Sequence, residues 1–349
     1  MNILIFGAGA IGTYIGGSLL LSGHQAVFIE QQGVVDVLRQ RGLRLDLTVD
    51  KRRNQTDAFL IDPSGYRCVP SLAEALRHGP FDLAVFALKS FDTAAALEGM
   101  KPHRDQMPPL LCLQNGVDNE PAIAALLGPD RVIAGTVTSS IGRLAAGDIV
   151  LERQRGVGIA GGHPLSDSLA AACGDAWLNP RLYPRAADMK WSKMLTNLVG
   201  NASAAILNMT PREVFAHPGL FSLEMAMMSE ALAVMEALGV KVVDLPGTPV
   251  RALALATRLP AFISKPLLVK AVGGGRGGKM PSFHIDLHSG RGRSEVDWLN
   301  GAVVQQGELT GVPTPVNRLL TTTLLALTRD ERAIREYDHQ AQKLLIDLM

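Results

Sequence analysis

Cysteine is scarce in this chain. Cys68, Cys112 and Cys173 are widely spaced, odd in number and form no CxxC pair, which argues against a disulfide framework or a zinc cluster and makes a reducing cytoplasm the expected home. An excess of charge is missing too. Lys and Arg total 34 against 33 Asp and Glu, a formal net charge of +1, so no global field draws the protein onto nucleic acid or an anionic membrane. The basic positions Arg251, Arg258, Lys265 and Lys270 are scattered with few aromatics nearby, which also speaks against a nucleic-acid partner. Long apolar runs are lacking. The nearest, Ile3 to Leu21, has no basic flank and is broken by Gly7, Gly9, Gly12, Gly16 and Gly17, so neither a secretory signal nor a membrane span is expected. His284 and His288 share a spacing that suits a metal, but Ile285 stands where an HExxH motif has its glutamate, and no metal is expected. There is no internal repeat.

What is present divides the chain in two. At 349 residues it is too long for one ordinary core, and the size prior favours two domains. The first part alternates strand and helix. Asn2 to Phe6, Gln25 to Glu30, Asp82 to Leu88, Leu110 to Leu113 and Arg131 to Thr136 are short apolar runs separated by helical spacing at Ala10 to Leu21, Gly33 to Arg41 and the stretches opening at Asp92 and Glu120. Near-continuous apolar strands of this kind are buried on both faces, the habit of a parallel sheet covered by helices on each side. Asp46 to Arg67 is expected as an irregular or hairpin excursion, and Val137 to Ala160 as added antiparallel strands. Beyond about Pro184 the period changes: Met189 to Leu207, Phe221 to Leu238, Ser294 to Leu309 and Pro315 to Leu327 carry helix-spaced apolar residues,. The expected architecture is an α/β Rossmann-type parallel-sheet domain over residues 1–184 and an all-α domain over 185–349. Ala271 to Lys279, rich in glycine, is expected as a surface loop, because it does not follow a strand and lacks the setting in which glycines cradle phosphate.

The first domain carries a cofactor signal. Gly7, Gly9 and Gly12 form GAGAIG immediately after the first strand, with Ala10 and Ile11 opening the helix. Absent side chains there permit a tight turn and close approach of backbone amides to a pyrophosphate. A lone GxGxxG is weak; here the strand before it, the helix after it and an acidic residue, Glu30, at the end of the second strand agree on dinucleotide binding. Glu30 suits ribose hydroxyls and repels a ribose phosphate, which favours NAD(H) over NADP(H). Arg39, Arg41 and Lys89 are the basic residues with a chance of reaching that region.

The second domain carries a polar row in an apolar helix. In Trp191 to Asn201 the residues Lys193, Asn197 and Asn201 recur at intervals of four, placing one ammonium and two amides on a single face. Such a row is either a solvated edge or a cleft wall aimed at a polar substrate.

These segments together give the chain a resemblance to the ketopantoate reductase (2-dehydropantoate 2-reductase) family. It runs through GAGAIG, Ala87-Leu88-Lys89-Ser90, Gln114-Asn115-Gly116-Val117, WSKMLTN from Trp191, and SEVDWLNG from Ser294 to Gly301, nearly the whole chain in order. The resemblance implies hydride transfer from a reduced nicotinamide to the 2-oxo group of ketopantoate, giving pantoate on the route to pantothenate. It implies that Lys193 donates a proton to the ketone oxygen, where alkoxide charge develops, and that Glu295 pairs with the substrate hydroxyl and helps hold the lysine. By the same resemblance Asn197, Asn201 and Ser282 bind substrate, while Asn115 and Lys89 lie near the nicotinamide and adenosine ends of the cofactor. NADP(H) is the cofactor it implies, against the NAD(H) that Glu30 favours. A 2-oxo acid is the expected partner, with a homodimer through the helical domain.

Three positions depart from the family pattern. Glu30-Gln31 replaces a basic residue after the second strand, Lys279 stands where a substrate-binding asparagine is expected, and the segment before Glu295 carries an extra residue and two histidines. Another ketone or imine substrate, or a redox sensor that holds the dinucleotide without turnover, therefore stays open at this point.

Overall fold

A computed structural model describes residues 1–276, 280–290 and 292–348. The described chain divides into two compact units, one of Met1–Lys190 with Leu245–Thr248, the other of Trp191–Asp244 with Pro249–Met349.

The first unit contains twelve strands: β1 Asn2–Phe6, β2 Gln25–Ile29, β3 Leu43–Asp46, β4 Phe59–Ile61, β5 Arg67–Val69, β6 Leu83–Phe86, β7 Leu110–Cys112, β8 Val132–Val137, β9 Ser140–Ala145, β10 Asp148–Arg153, β11 Val157–Ala160 and β12 Pro180–Tyr183. Eight form one sheet in the order β12-β11-β8-β7-β6-β1-β2-β5. From β5 to β8 every pairing is parallel; β11 runs antiparallel to β8 and parallel to β12. Burial on both faces follows from the period-two geometry of a strand. Ile3, Ile5, Leu83, Val85 and Leu111 enter one core, while Leu4, Phe6, Ala84, Phe86 and Cys112 enter the other.

The excursion expected after Asp46 belongs to a second sheet of order β4-β3-β10-β9. β3 and β4 do make an antiparallel pair, but β3 also lies parallel to β10, about one hundred residues onward. The helix Ala10–Leu21 packs against both sheets, and its glycines are what permit this. A Cβ at Gly16 would sit 2.3 Å from Ile5 Cδ1 of β1, and one at Gly17 would sit 2.5 Å from Leu45 Cδ2 of β3. The strand β12 was not expected; its Pro180, Arg181 and Leu182 give little apolar periodicity to read.

The second unit is helical, with two breaks where the apolar pattern suggests continuity. Met189 to Leu207 splits into the helices Ala186–Leu198 and Ala202–Leu207, because Gly200 adopts φ +55°, a left-handed conformation that interrupts the helix. Ser294 to Leu309 splits into a 3-10 turn, Glu295–Trp298, and a helix, Asn300–Thr310. Phe221 to Leu238 and Pro315 to Leu327 fall within the helices Pro218–Ala237 and Pro315–Thr328. The glycine-rich run from Ala271, expected as a loop, is helical as far as Arg276; glycine lowers helix propensity by about 1 kcal/mol per residue without forbidding it. Lys279 lies outside the described residues. No helix among the described residues is long and apolar enough to cross a membrane.

Candidate functional site

In the first unit, the turns following β1, β6 and β7 are neighbours at the C-terminal edge of the parallel sheet, the edge at which open α/β sheets bind ligands. Gly9 is the N-cap of the helix Ala10–Leu21, with no side-chain cap and no acidic residue in the first turn. The helix N-terminus is therefore available to an anion. Gly12 is required by the fold itself, since a Cβ there would lie 1.8 Å from Gly7 O. Gly9 is different: a Cβ there meets nothing within 4 Å. Its missing side chain leaves open space over the amides, and these groups fit the pyrophosphate of a dinucleotide.

Glu30 follows β2 and turns toward this loop. One carboxylate oxygen accepts from Ala8 N at 2.7 Å and the other from Gln31 N at 3.1 Å, leaving lone pairs for hydroxyl donors. The nearby arginines are engaged elsewhere. Arg39 donates to Cys68 O at 3.1 Å and pairs with Glu74 at 3.6 Å, while Arg41 donates to Ala146 O.

Lys89 stands immediately before the short 3-10 turn Ser90–Asp92 after β6, with no side-chain cap bond, and Asn115 lies in the turn after β7. A buried hydrogen-bond set ties these two turns together. Ser90 Oγ donates to Asn115 O at 3.0 Å and Asn119 Nδ2 donates to the same oxygen at 2.7 Å. Thr93 Oγ1 donates to Asn119 Oδ1, and Gln114 Nε2 donates to Thr93 Oγ1 and Leu88 O. Sequence reasoning missed the anchor of this set. The buried Lys190 ammonium donates to Gln114 O at 2.6 Å and pairs with Glu120 at 2.6 Å. Burial opposes its charge, but the Glu120 carboxylate and the neighbouring Cys112 prevail and hold its pKa above the usual lysine value,. The only signals in the sequence were a basic residue inside an apolar helix and a glutamate after the Asn-Gly turn.

In the second unit, the helix Ala186–Leu198 carries Lys193 and Asn197, both half-buried among apolar neighbours. Asn201 is not on that helix, contrary to the expected single face. The break at Gly200 makes it the N-cap of Ala202–Leu207, where it is 2% exposed. The break nonetheless brings three of the expected site residues together. Asn201 Nδ2 donates to Asn197 O at 2.9 Å and to Ser282 Oγ at 3.3 Å, while its Oδ1 accepts from Phe283 N at 3.2 Å. Ser282 opens the helix Ser282–Leu287, so two positions 81 residues apart meet through one amide. Glu295, 3% exposed, is the first residue of its 3-10 turn, and Ser294 caps that turn by accepting from Val296 N at 3.3 Å. The rings of His284 and His288 lie 4.2 Å apart, tilted by 45°, and His284 Nε2 lies 2.8 Å from Asn208 Oδ1. Among the described residues no group of three or more His, Cys, Asp or Glu side chains is placed to hold a metal.

Two family models match the chain: Ketopantoate reductase PanE/ApbA over residues 3–161, and Ketopantoate reductase PanE/ApbA C terminal over residues 185–328. The chain belongs to the ketopantoate reductase family. Relatives agree over nearly full length. The 2-dehydropantoate 2-reductase of Halobacterium salinarum is 28% identical over 341 residues, covering 95% of this chain and 100% of its own. That of Pyrococcus horikoshii is 25% identical over 328 residues, covering 92% and 95%. Among solved structures, the PanE/ApbA family ketopantoate reductase from Ralstonia eutropha JMP134 superposes with a TM-score of 0.77 at 27% identity, covering 95% of this chain and 99% of its own. A D-mandelate dehydrogenase solved with NADH and anilino(oxo)acetate superposes at 0.76 with 19% identity over 95% and 99%, a likeness of fold. The GAGAIG loop, the Asn115 turn and the Lys193 helix all fall within the matched stretches of the ketopantoate reductase family.

Proposed function

We propose that this protein is a nicotinamide-dependent reductase of a small 2-oxo acid, and that the acid is 2-dehydropantoate, reduced to pantoate in pantothenate biosynthesis. The observation that carries the reading is the hydrogen-bonded group of Asn197, Asn201 and Ser282, with Lys193 on the helix that carries Asn197, in a chain whose other unit presents an uncapped helix N-terminus behind GAGAIG. The dinucleotide, when bound, supplies the hydride. Gly7, Gly9, Ala10, Ile11 and Gly12 would hold its pyrophosphate through backbone amides, Glu30 its adenosine ribose, and Lys89 and Asn115 would contact its adenosine and nicotinamide ends.

The remaining chemistry belongs to side chains of the helical unit. Lys193 donates its ammonium proton to the ketone oxygen, where negative charge develops, and so stabilises the forming alkoxide. Glu295 pairs with the substrate hydroxyl and orients the lysine. Asn197 binds the substrate's oxygen functions, Ser282 its carboxylate, and Asn201 acts with them by fixing the Ser282 hydroxyl.

The carboxylate of Glu30, with Arg39 and Arg41 occupied by Cys68, Glu74 and Ala146, supports NADH as the preferred reductant over the NADPH that the family resemblance implies. A ribose 2′-phosphate would meet a like charge there. The exposed side chains of Leu255, Phe262 and Leu267 support self-association through the helical unit, and the three buried free thiols support a reducing, cytoplasmic location.

Initial-rate kinetics on ketopantoate with NADH and NADPH in parallel test the proposal. Turnover with NADH the better reductant is the expected result. If ketopantoate is inert while another ketone or an imine from a substrate panel is reduced, the reaction class stands and the substrate falls. Tight dinucleotide binding without turnover on any of them would make the protein a redox sensor instead.

A further inference from the structure

A carboxylate with no exposed surface lies inside the helical unit, close to the group of Asn197, Asn201 and Ser282 but outside it. Glu224, on the helix Pro218–Ala237, is 0% exposed. Burying a polar group is costly unless hydrogen-bond partners meet it, and here both oxygens are met by the same short stretch of chain. Oε2 accepts from Gly200 N at 2.8 Å, and Oε1 accepts from Ser203 Oγ at 2.5 Å. Ser203 is itself fully buried.

Those two donors flank Asn201. Gly200 is the left-handed residue that ends one helix, and Ser203 sits in the first turn of the next. The junction thus gains two hydrogen bonds to one buried carboxyl group, at the place where the backbone must hold an unusual conformation. Asn201, set between them, spends its amide on Asn197 O, Ser282 Oγ and Phe283 N. A shift of the junction therefore moves the Asn201 amide, and with it the Ser282 hydroxyl.

We propose that Glu224 is a positioning residue for the 2-oxo acid: it clamps the Gly200–Ser203 junction so that Asn201 presents Ser282 in register with Asn197. This rests on the reading above in which Asn197, Asn201 and Ser282 bind the substrate. Glu224 acts through the junction and touches no reacting atom.

The test uses the full-length protein and three variants, Glu224→Ala, Glu224→Gln and Ser203→Ala, assayed with ketopantoate. Dinucleotide affinity and backbone amide hydrogen exchange are measured alongside. Glu224→Ala is expected to raise KM for ketopantoate roughly tenfold or more, to leave dinucleotide Kd within about twofold, and to speed exchange at residues 199–203 about tenfold. Glu224→Gln keeps an acceptor for Gly200 N–H and offers its amide to the Ser203 hydroxyl oxygen, so it should recover most of the KM. A merely structural carboxylate would instead change KM, dinucleotide Kd and melting temperature together. If Glu224→Ala does not fold, Ser203→Ala carries the test, with a KM rise of about threefold expected from losing one of the two bonds; an unchanged KM overturns the proposal. An inactive parent protein overturns the substrate reading itself. An active parent whose Glu224→Ala variant keeps its KM and its exchange pattern overturns the positioning role alone.

Discussion

Replacing Lys190 by Met removes the cation from a buried pair while keeping most of the side-chain volume. The ammonium lies 2.6 Å from Glu120 and donates to Gln114 O at 2.6 Å and Gly135 O at 3.4 Å; the Lys190 and Glu120 side chains are only 5% and 14% exposed. Breaking a buried pair by deleting one partner costs about 3–5 kcal/mol, chiefly because a carboxylate is left buried without compensation. Domains of this size lose roughly 2–4 °C of melting temperature per kcal/mol, so Lys190→Met should melt about 6–20 °C below the parent. Adding Glu120→Gln removes the stranded charge, and the double variant should recover at least half of the loss. Because Gln114 O is one of the ammonium's acceptors, the turn carrying Asn115 should loosen as well, and dinucleotide Kd should rise several-fold in the single variant. Calorimetry on the four members of the cycle, with fluorescence titration of the dinucleotide, measures both effects. A single variant melting within about 2 °C of the parent, or a double variant no more stable than the single one, would refute the reasoning.

Three further outcomes are expected. Glu30→Arg should move the ratio of kcat/KM for NADH and NADPH toward NADPH by about tenfold or more, since it trades a like charge for an opposite one beside the ribose phosphate; an unmoved ratio removes the basis for preferring NADH. Gly12→Val should abolish dinucleotide binding, because even its Cβ would lie 1.8 Å from Gly7 O and the loop must move; isothermal titration showing unchanged Kd would contradict this. Burial raises the thiols of Cys68 and Cys173 to about 12 and pushes Cys112 up as well, so the folded protein should resist alkylation at neutral pH while the denatured chain labels three times, read by intact mass.

The parts legible in the sequence were those whose cause is local. GAGAIG after an apolar run specifies strand, turn and helix within about fifteen residues, because each glycine answers a steric demand inside that segment. The period change after Pro184 marks the start of helical packing for the same reason. What was not legible depends on partners far along the chain. The Gly200 break inside Met189 to Leu207 looks like an ordinary glycine in an apolar helix; the carboxylate that stabilises it is 24 residues away, and the serine that Asn201 then reaches is 81 away. The second sheet was hidden likewise, since β3 and β10 carry only short apolar patterns and find each other across about one hundred residues. Lys190 was not legible because a lysine in an apolar helix does not by itself mark burial, and its partner Glu120 comes from the first turn of the distant helix Asn119–Leu127. The junction that brings Asn197, Asn201 and Ser282 together could not be read.

The most direct measurement is the rate of ketopantoate reduction by the parent protein and by Lys193→Ala, with dinucleotide Kd determined for both. Loss of a proton donor in the reaction should lower kcat by about 10²–10⁴-fold while leaving Kd within about twofold. A Lys193→Ala enzyme that turns over ketopantoate at the parental rate would contradict the assignment of that ammonium, and with it the proposed reaction.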